Sequence, residues 1–428
     1  MSITDRRSLY DRATRALPGG NSRTQLYVPP QPLYVERAEG TRIVLDDGRE
    51  LTDFLFNYTA SAVGYAHPRV VAAAKGAIDS GAPFGMPSPV EVVMAEALLE
   101  RVSAIERVRF TNSGSEATMH AIRTARAFSG RSTIAKAEGA YHGSHDLTDF
   151  SVTMVSDEQL VPRPQTPGIP PALAASIVLY PYNDLPRTLE VLDVHRGELA
   201  TVLVEVFLNS AGVIVAAPGY LSGIADWCRQ NNVLLTVDEV ASFRTSYGGA
   251  YSDHGISPDL VCLGKSIGGG FPVGAFGGRE DVMSILDPRR PNHVRHAGTF
   301  NGHPVALAAG LEVLGILDRD TIERMNELAA RVADGIGAIA RKRGLALSAT
   351  RYGSIGNLHL AETPPTTFRE VRRPTPPELV DLYWALVDRG FAIAPRGQFS
   401  TCALTTEAEV DGLLTALDDA ATTTLGRM

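Results

Sequence analysis

TVLVEVF (201–207), PGYLSGIADWCRQNN (218–232) and VLLTVDEVASF (233–243) follow one another closely, and their order decides the fold. The first and third are near-continuous apolar runs, the pattern of strands covered on both faces. The middle segment reads as the crossover helix between them. Working outward, RVRF (107–110), TIAKAEG (133–139), IVLYPYN (177–183) and LVCLGK (260–265) read as further short apolar strands, and a helix starts at about Ser115. Alternating strands and helices predict an α/β fold: a three-layer αβα domain with a mostly parallel sheet. In such sheets ligands bind beyond the carboxyl ends of the strands.

Outside this block the texture changes. An opening helix leads to LPGGNSRTQLYVPPQP (17–32), an irregular arm, and RIVLDDGRELTDF (42–54) reads as a hairpin turning at Asp47-Gly48. Beyond about residue 315 come a charged helix (321–344), a strand near GNLHL and a Pro-rich loop. A helix (376–389), strands in FAIAP and STCAL, and a closing helix from Thr406 complete a smaller α+β domain. The expected division is an N-terminal arm with part of the small domain (1–50), a large domain (51–314) and the rest of the small domain (315–428).

At 428 residues, with 44% hydrophobic and 21% charged residues, the chain can bury a large core without metal or disulfide staples. A net charge of −8 argues against a nucleic-acid surface. Three widely spaced cysteines, Cys228, Cys262 and Cys402, suit free thiols in a reducing cytoplasm. The N-terminus lacks the apolar core of a signal peptide, and no apolar run is long enough to span a membrane.

Four segments carry chemistry. In TNSGSEA (111–117) a strand ends and Ser113, Gly114 and Ser115 open a helix, so that backbone N–H groups and two hydroxyls form an anion cradle or, alternatively, a simple N-cap. GAYHGSHD (139–146) offers Tyr141 to a planar ligand; His142, His145 and Asp146 lack the further ligands a metal site needs, and none is expected. LVCLGKSIGGGFPVGAFGG (260–278) ends an apolar strand on Lys265 and continues in glycines. Desolvation there lowers a lysine's pKa and frees its amine as a nucleophile. A P-loop reading fails because Asp259 stands where its first glycine is required. Asp238 and Glu239, ending a buried strand, need partners, as does Glu205.

Together, in this order and over nearly the whole chain, these segments resemble the class III aminotransferases of pyridoxal-phosphate fold type I, in the branch holding glutamate-1-semialdehyde aminomutase and β-amino acid aminotransferases. The resemblance implies pyridoxal 5'-phosphate (PLP) bound to Lys265 as a Schiff base, with Lys265 then moving the proton. It implies Asp238 at the pyridine nitrogen, Val240 and Tyr141 on the two ring faces, and Ser113, Gly114 and Ser115 at the phosphate. His142 and Glu205 complete the expected cofactor-binding set. Thr299, in HAGTFNGHP, would reach the phosphate of the neighbouring subunit, so a homodimer is implied. Two departures stand out. The family's VEP-x-x-x-x-x-G appears as VEVFLNSAG (204–212), with Val206 for proline and Asn209 near the expected glycine. Its DEVxTGFR is one residue shorter here, DEVASFR (238–244), which leaves Arg244 without an assigned role.

Arg23, in the arm, and Arg396, in FAIAPRGQF, match positions that bind substrate carboxylates in β-amino acid aminotransferases. The expected reaction is ping-pong amino transfer between a β-amino or unusual amino acid and a keto acid. The competing reading is the aminomutase; its relatives carry an acidic residue just after PSQF, where this chain has Ser400 after Gln398-Phe399. The stretch 154–173 is long enough to form a lid. A nucleotide-dependent enzyme would need a GxGxxG or P-loop after the first strand, and neither occurs. A non-catalytic PLP-fold binding protein would have lost the lysine.

Overall fold

The computed structural model describes residues 6–153, 160–371 and 374–425. Residues 154–159 of the expected lid lie outside the described residues. The large sheet has seven strands: β1 (Arg107–Thr111), β2 (Thr133–Ala137), β3 (Ile177–Tyr180), β4 (Leu199–Val204), β5 (Leu234–Asp238), β6 (Leu260–Gly264) and β7 (Gly274–Gly278). Their order is β1-β7-β6-β5-β4-β2-β3. Only β7 runs against its neighbours, β6 and β1. The carboxyl ends of the other six therefore share one edge of the sheet.

The apolar runs are explained by burial on both faces: every residue of β2 to β7 is buried. Alternate residues feed opposite cores, Leu260 and Cys262 one, Val261 and Leu263 the other. Helix α1 (Gly114–Ser129) covers β6 and β7, α2 (Leu185–His195) packs on β3, and α3 (Tyr220–Asn231) on β5. The fold is thus a mixed α/β arrangement, a mostly parallel sheet between helical layers.

Strand β7 has no signal in the sequence, because GAFGG is, apart from Phe276, composed of residues that strands avoid. Its glycines answer to close approach. A Cβ on Gly274 would stand 2.1 Å from the Ser113 carbonyl oxygen, and one on Gly278 2.0 Å from that of Asp259.

A second body has its own apolar core, with Phe54, Leu328, Ile336, Leu382, Phe399 and Leu413. Its helices are α4 (Arg319–Arg343), α5 (Pro377–Val387) and α6 (Glu407–Thr424). Asp318 caps α4 and Thr406 caps α6 in a reciprocal capping box with Glu409. An antiparallel sheet joins Ser348–Tyr352, Ile355–His359 and Gln398–Ser400. The hairpin Arg42–Leu45/Glu50–Asp53 continues through Phe391–Ala392, so the two ends of the chain share a sheet. STCAL forms strand only to Ser400. After it the Thr401 carbonyl accepts from Arg244 and residues 402–405 turn, which takes the backbone out of the ladder. Among the described residues no helix is long and apolar enough to cross a membrane.

Candidate active site

Three chain turns meet at the carboxyl edge of the sheet. The first turn of α1, the end of β5 and the end of β6 approach to van der Waals distance. A Cβ on Gly114 would lie 2.7 Å from Val240 Cγ1, and one on Gly264 3.3 Å from Gly114 Cα. Only glycine allows this packing. Lys265 follows directly, half-buried, with a left-handed φ of 49°. Non-glycine residues seldom hold that conformation, and where they do a functional constraint is the usual reason. Burial pushes the Lys265 amine down to about 8, opposed by the charges of Asp238 and Glu205.

Asp238 is buried, with Oδ2 2.9 Å from His142 Nδ1 and Oδ1 accepting from Val240 N at 3.0 Å. A carboxylate facing His142 fixes Nδ1 as the protonated nitrogen. The His142 Nε2 atom is then buried without a hydrogen-bond partner. Glu205 accepts from the backbone of Tyr141 at 3.1 Å, and burial, reinforced by Asp238, pushes it up to about 8. Glu239 points elsewhere. It accepts from Ser242 Oγ at 2.6 Å and Tyr251 N at 2.7 Å, and is a structural carboxylate.

At the helix start Ser113 accepts from Glu116 N at 3.1 Å, so its oxygen caps α1 while its O–H proton stays free to donate. Ser115 Oγ accepts from Ser144 N at 3.2 Å. Gly143 sits so close that a Cβ would be 2.6 Å from Ser115 Cα. The Tyr141 hydroxyl lies beside Ser115 and Ser144. His145 packs against Thr118 and Thr148, 3.2 and 3.3 Å away. Among the described residues no group of three or more His, Cys, Asp or Glu side chains could hold a metal ion.

Arg396 faces this cluster from the second body, close enough to lower the Lys265 pKa. Its guanidinium donates to Gln398 Oε1 and lies over the Tyr58 ring, 5.3 Å from the centroid. Its Nε is buried without a partner. Arg23 is exposed and donates to Asn57 Oδ1 at 2.9 Å. Tyr58 stands between the two arginines, since both lower its pKa against the larger effect of burial. Thr299 is not brought to the cluster. It lies on an exposed turn whose Asn301 is held by Asn112 at 2.9 Å and faces His296 at 3.2 Å.

Sequence reasoning missed several residues here. Phe56, Asn57, Tyr58 and Thr59 form a run with φ of 48° to 75°, a left-handed turn that presents Asn57 and Tyr58 to the arginines. Such a turn costs roughly 1–2 kcal/mol per residue and has no sequence signature. Arg244 braces it: the buried guanidinium donates to the Thr59 carbonyl at 3.1 Å and to that of Thr401. That is a structural role. Lys136, inside β2, is fully buried, its Nζ 2.6 Å from the Phe150 carbonyl, and burial lowers it to about 7. The glycine expected in 204–212 is Gly212, with φ of 95° and a Cβ position 2.9 Å from His359 Cε1. Asn209 is therefore an ordinary loop residue of the hairpin Phe207–Leu208/Ile214–Val215, and its side chain is available for other contacts.

A helix N-terminus, a buried carboxylate and a desolvated lysine at one sheet edge form a site for a phosphorylated heteroaromatic cofactor. The aminotransferase class-III family model matches residues 25–420. The chain belongs to this family. Class-III aminotransferases depend on PLP, and this chain is a PLP-dependent enzyme. Glutamate-1-semialdehyde 2,1-aminomutase of Anaeromyxobacter dehalogenans (strain 2CP-C) is 37% identical over 402 residues, 93% of this chain and 92% of that one. An omega-transaminase structure from Sphaerobacter thermophilus superposes with a TM-score of 0.95 at 39% identity, covering 98% of both chains. A beta-phenylalanine aminotransferase from Variovorax paradoxus gives 0.87 at 30% identity, over 98% of this chain and 94% of that one.

Proposed function

We propose that this class-III enzyme is a transaminase that moves an amino group between a β-amino or unusual amino acid and a keto acid, in two half-reactions. One observation carries the reading. The Arg396 guanidinium stands over the cofactor site with neutral partners only, Gln398 and Tyr58, and a buried Nε without a bond. A desolvated cation so placed calls for an anion, and a substrate carboxylate can meet it with two parallel hydrogen bonds.

The site's own features fit PLP. Gly114 and Ser115 open the helix with no obstructing side chain, Asp238 offers a buried carboxylate, and Lys265 a desolvated amine. When bound, PLP supplies the electron sink and carries the amino group between the half-reactions. Asp238, oriented by His142, would pair with the protonated ring nitrogen. Glu205, its pKa raised by burial and by Asp238, would sit beside this pair and hold the Tyr141 backbone. Val240 and Tyr141 would flank the ring, while the α1 N–H groups with Ser113 and Ser115 would hold the phosphate. Lys265 would take the proton from the substrate carbon and return it, as general base and acid. Arg396, aided by Arg23, sets the carboxylate and with it the direction of the labile C–H bond. Thr299 would complete the phosphate site of a second subunit in a homodimer, and three buried free thiols fit a cytoplasmic enzyme.

The aminomutase is the second reading, favoured by the name of the 37%-identical relative. Against it, the position that is acidic in the aminomutase pattern is Ser400, fully buried, with its hydroxyl on the Leu55 carbonyl at 3.3 Å. The test gives the PLP-loaded enzyme β-phenylalanine with a keto acid, and separately glutamate 1-semialdehyde with no acceptor. Keto-acid-dependent loss of the β-amino group is expected. Conversion of the semialdehyde to 5-aminolevulinate without an acceptor, and no reaction with β-phenylalanine, would install the aminomutase instead.

A further inference from the structure

Arg396 does not reach its place alone. Its guanidinium donates to Gln398 Oε1, and Gln398 Nε2 donates to Asn209 Oδ1 at 2.7 Å. The Asn209 backbone N–H in turn points to Glu205 Oε1 at 3.4 Å, and Asn357 Nδ2 approaches the Arg396 carbonyl at 3.3 Å. Gln398, Asn209 and Glu205 are all buried.

The direction of this chain is fixed. A flipped Gln398 amide would turn its NH2 toward the guanidinium, donor against donor, and its oxygen toward the Asn209 acceptor. Burial makes either mismatch costly, because no water can repair it. Asn209 thus accepts the Gln398 N–H in the amide orientation that lets Gln398 hold Arg396, and fixes that side chain in place. Asn209 sits in the loop that follows Glu205, and Gln398 is on a strand of the second body. The pair therefore ties the carboxylate-binding arginine to the acid beside the cofactor site.

We propose that Asn209 and Gln398 are positioning residues that preset Arg396 for a carboxylate and so make this enzyme select amino acids over amines without one. This rests on the reading of Arg396 as the carboxylate site. A guanidinium already held in place loses less freedom on binding, and the gain is confined to ligands that touch it.

The test compares wild-type holoenzyme with Asn209→Leu and Gln398→Glu. The first readout is calorimetric binding of 3-phenylpropanoate, a carboxylate with no amine to react. The second is the ratio of KM for β-phenylalanine to KM for 1-phenylethylamine. In Asn209→Leu the dissociation constant and the KM ratio are both expected to rise about tenfold, the worth of one hydrogen bond. Gln398→Glu is nearly isosteric and puts an anion against the guanidinium, and it is expected to weaken 3-phenylpropanoate further. An unchanged KM ratio in Asn209→Leu, or both KM values rising together, would overturn the proposal, as would Gln398→Glu binding 3-phenylpropanoate as wild type does. If Asn209→Leu does not fold, the Gln398→Glu arm decides alone. Failure of wild type to bind 3-phenylpropanoate would instead remove the carboxylate reading of Arg396, leaving no carboxylate site to preset.

Discussion

Lys265 is the residue on which the proposed chemistry turns. Its place after an apolar strand is what lowers its pKa, and two outcomes follow. Lys265→Ala should keep the phosphate cradle and still bind PLP, while the turnover rate falls by at least about 10²–10⁴-fold, the usual contribution of a positioned general acid–base. Equilibrium dialysis of PLP and a steady-state rate check both halves; normal turnover in that variant would sink the assignment. The second outcome concerns pH. Protonated Lys265 cannot attack a carbonyl, and burial holds its pKa near about 8, against about 10.4 for a free lysine. The rate at which apoenzyme captures PLP should therefore rise with pH, reach half its maximum near about 8 and level off above. Stopped-flow absorbance across pH 6 to 10 reads this, and a rate still climbing at the top of that range would contradict the desolvated lysine. Lys265 and Asp238 were legible because a charge ending an apolar run is conspicuous. Lys136 was not: within TIAKAEG it reads as an ordinary strand lysine, and only its placement over the Phe150 carbonyl shows the head group to be buried.

Among the elements, β7 and the turn at Phe56–Thr59 were invisible for opposite reasons. In β7 the required residues are those that usually break strands. Gly278→Ala would place a Cβ 2.0 Å from a backbone oxygen. Backbone cannot yield as a flexible side chain would, so a loss of about 1–3 kcal/mol or more is expected, read as a lower melting temperature of the apoenzyme. A stability equal to wild type would mean that β7 does not lie where it is described. In Phe56–Thr59 the residues are unremarkable and the backbone is not. The turn is held by long-range bonds, Arg244 to the Thr59 carbonyl and Arg23 to Asn57, which no local pattern announces. The helices, by contrast, follow their periodicity and caps closely, as at Asp318 and Thr406.

Taken as a whole, the molecule exposes Phe300, next to Thr299, and apolar side chains on the helix against which the same turn packs. Met86 is 81% exposed and Phe300 53%, and Val92 and Val93 are exposed on the helix Pro89–Arg101. Gly302 lies against that helix, its Cβ position 3.1 Å from Glu91. Large exposed apolar side chains on adjoining elements suit an interaction surface. If a second copy covers it, sedimentation should show a dimer, and Phe300→Asp should raise the dimer dissociation constant about thirtyfold or more, the cost of one hot-spot residue. A monomeric wild-type protein would refute the shared site and leave Thr299 an ordinary loop residue. What the sequence determined by itself is what local chemistry dictates: strands buried on both faces, capped helices, and charges stranded at strand ends, which together gave the fold class and the lysine. Only the tertiary structure decided which side chains meet. Arg396, Gln398 and Asn209 come from different elements and two bodies, and Gly274 and Gly278 are required by backbone far away in the chain. Contacts of that kind depend on how elements pack, and packing distance is not encoded in any one segment.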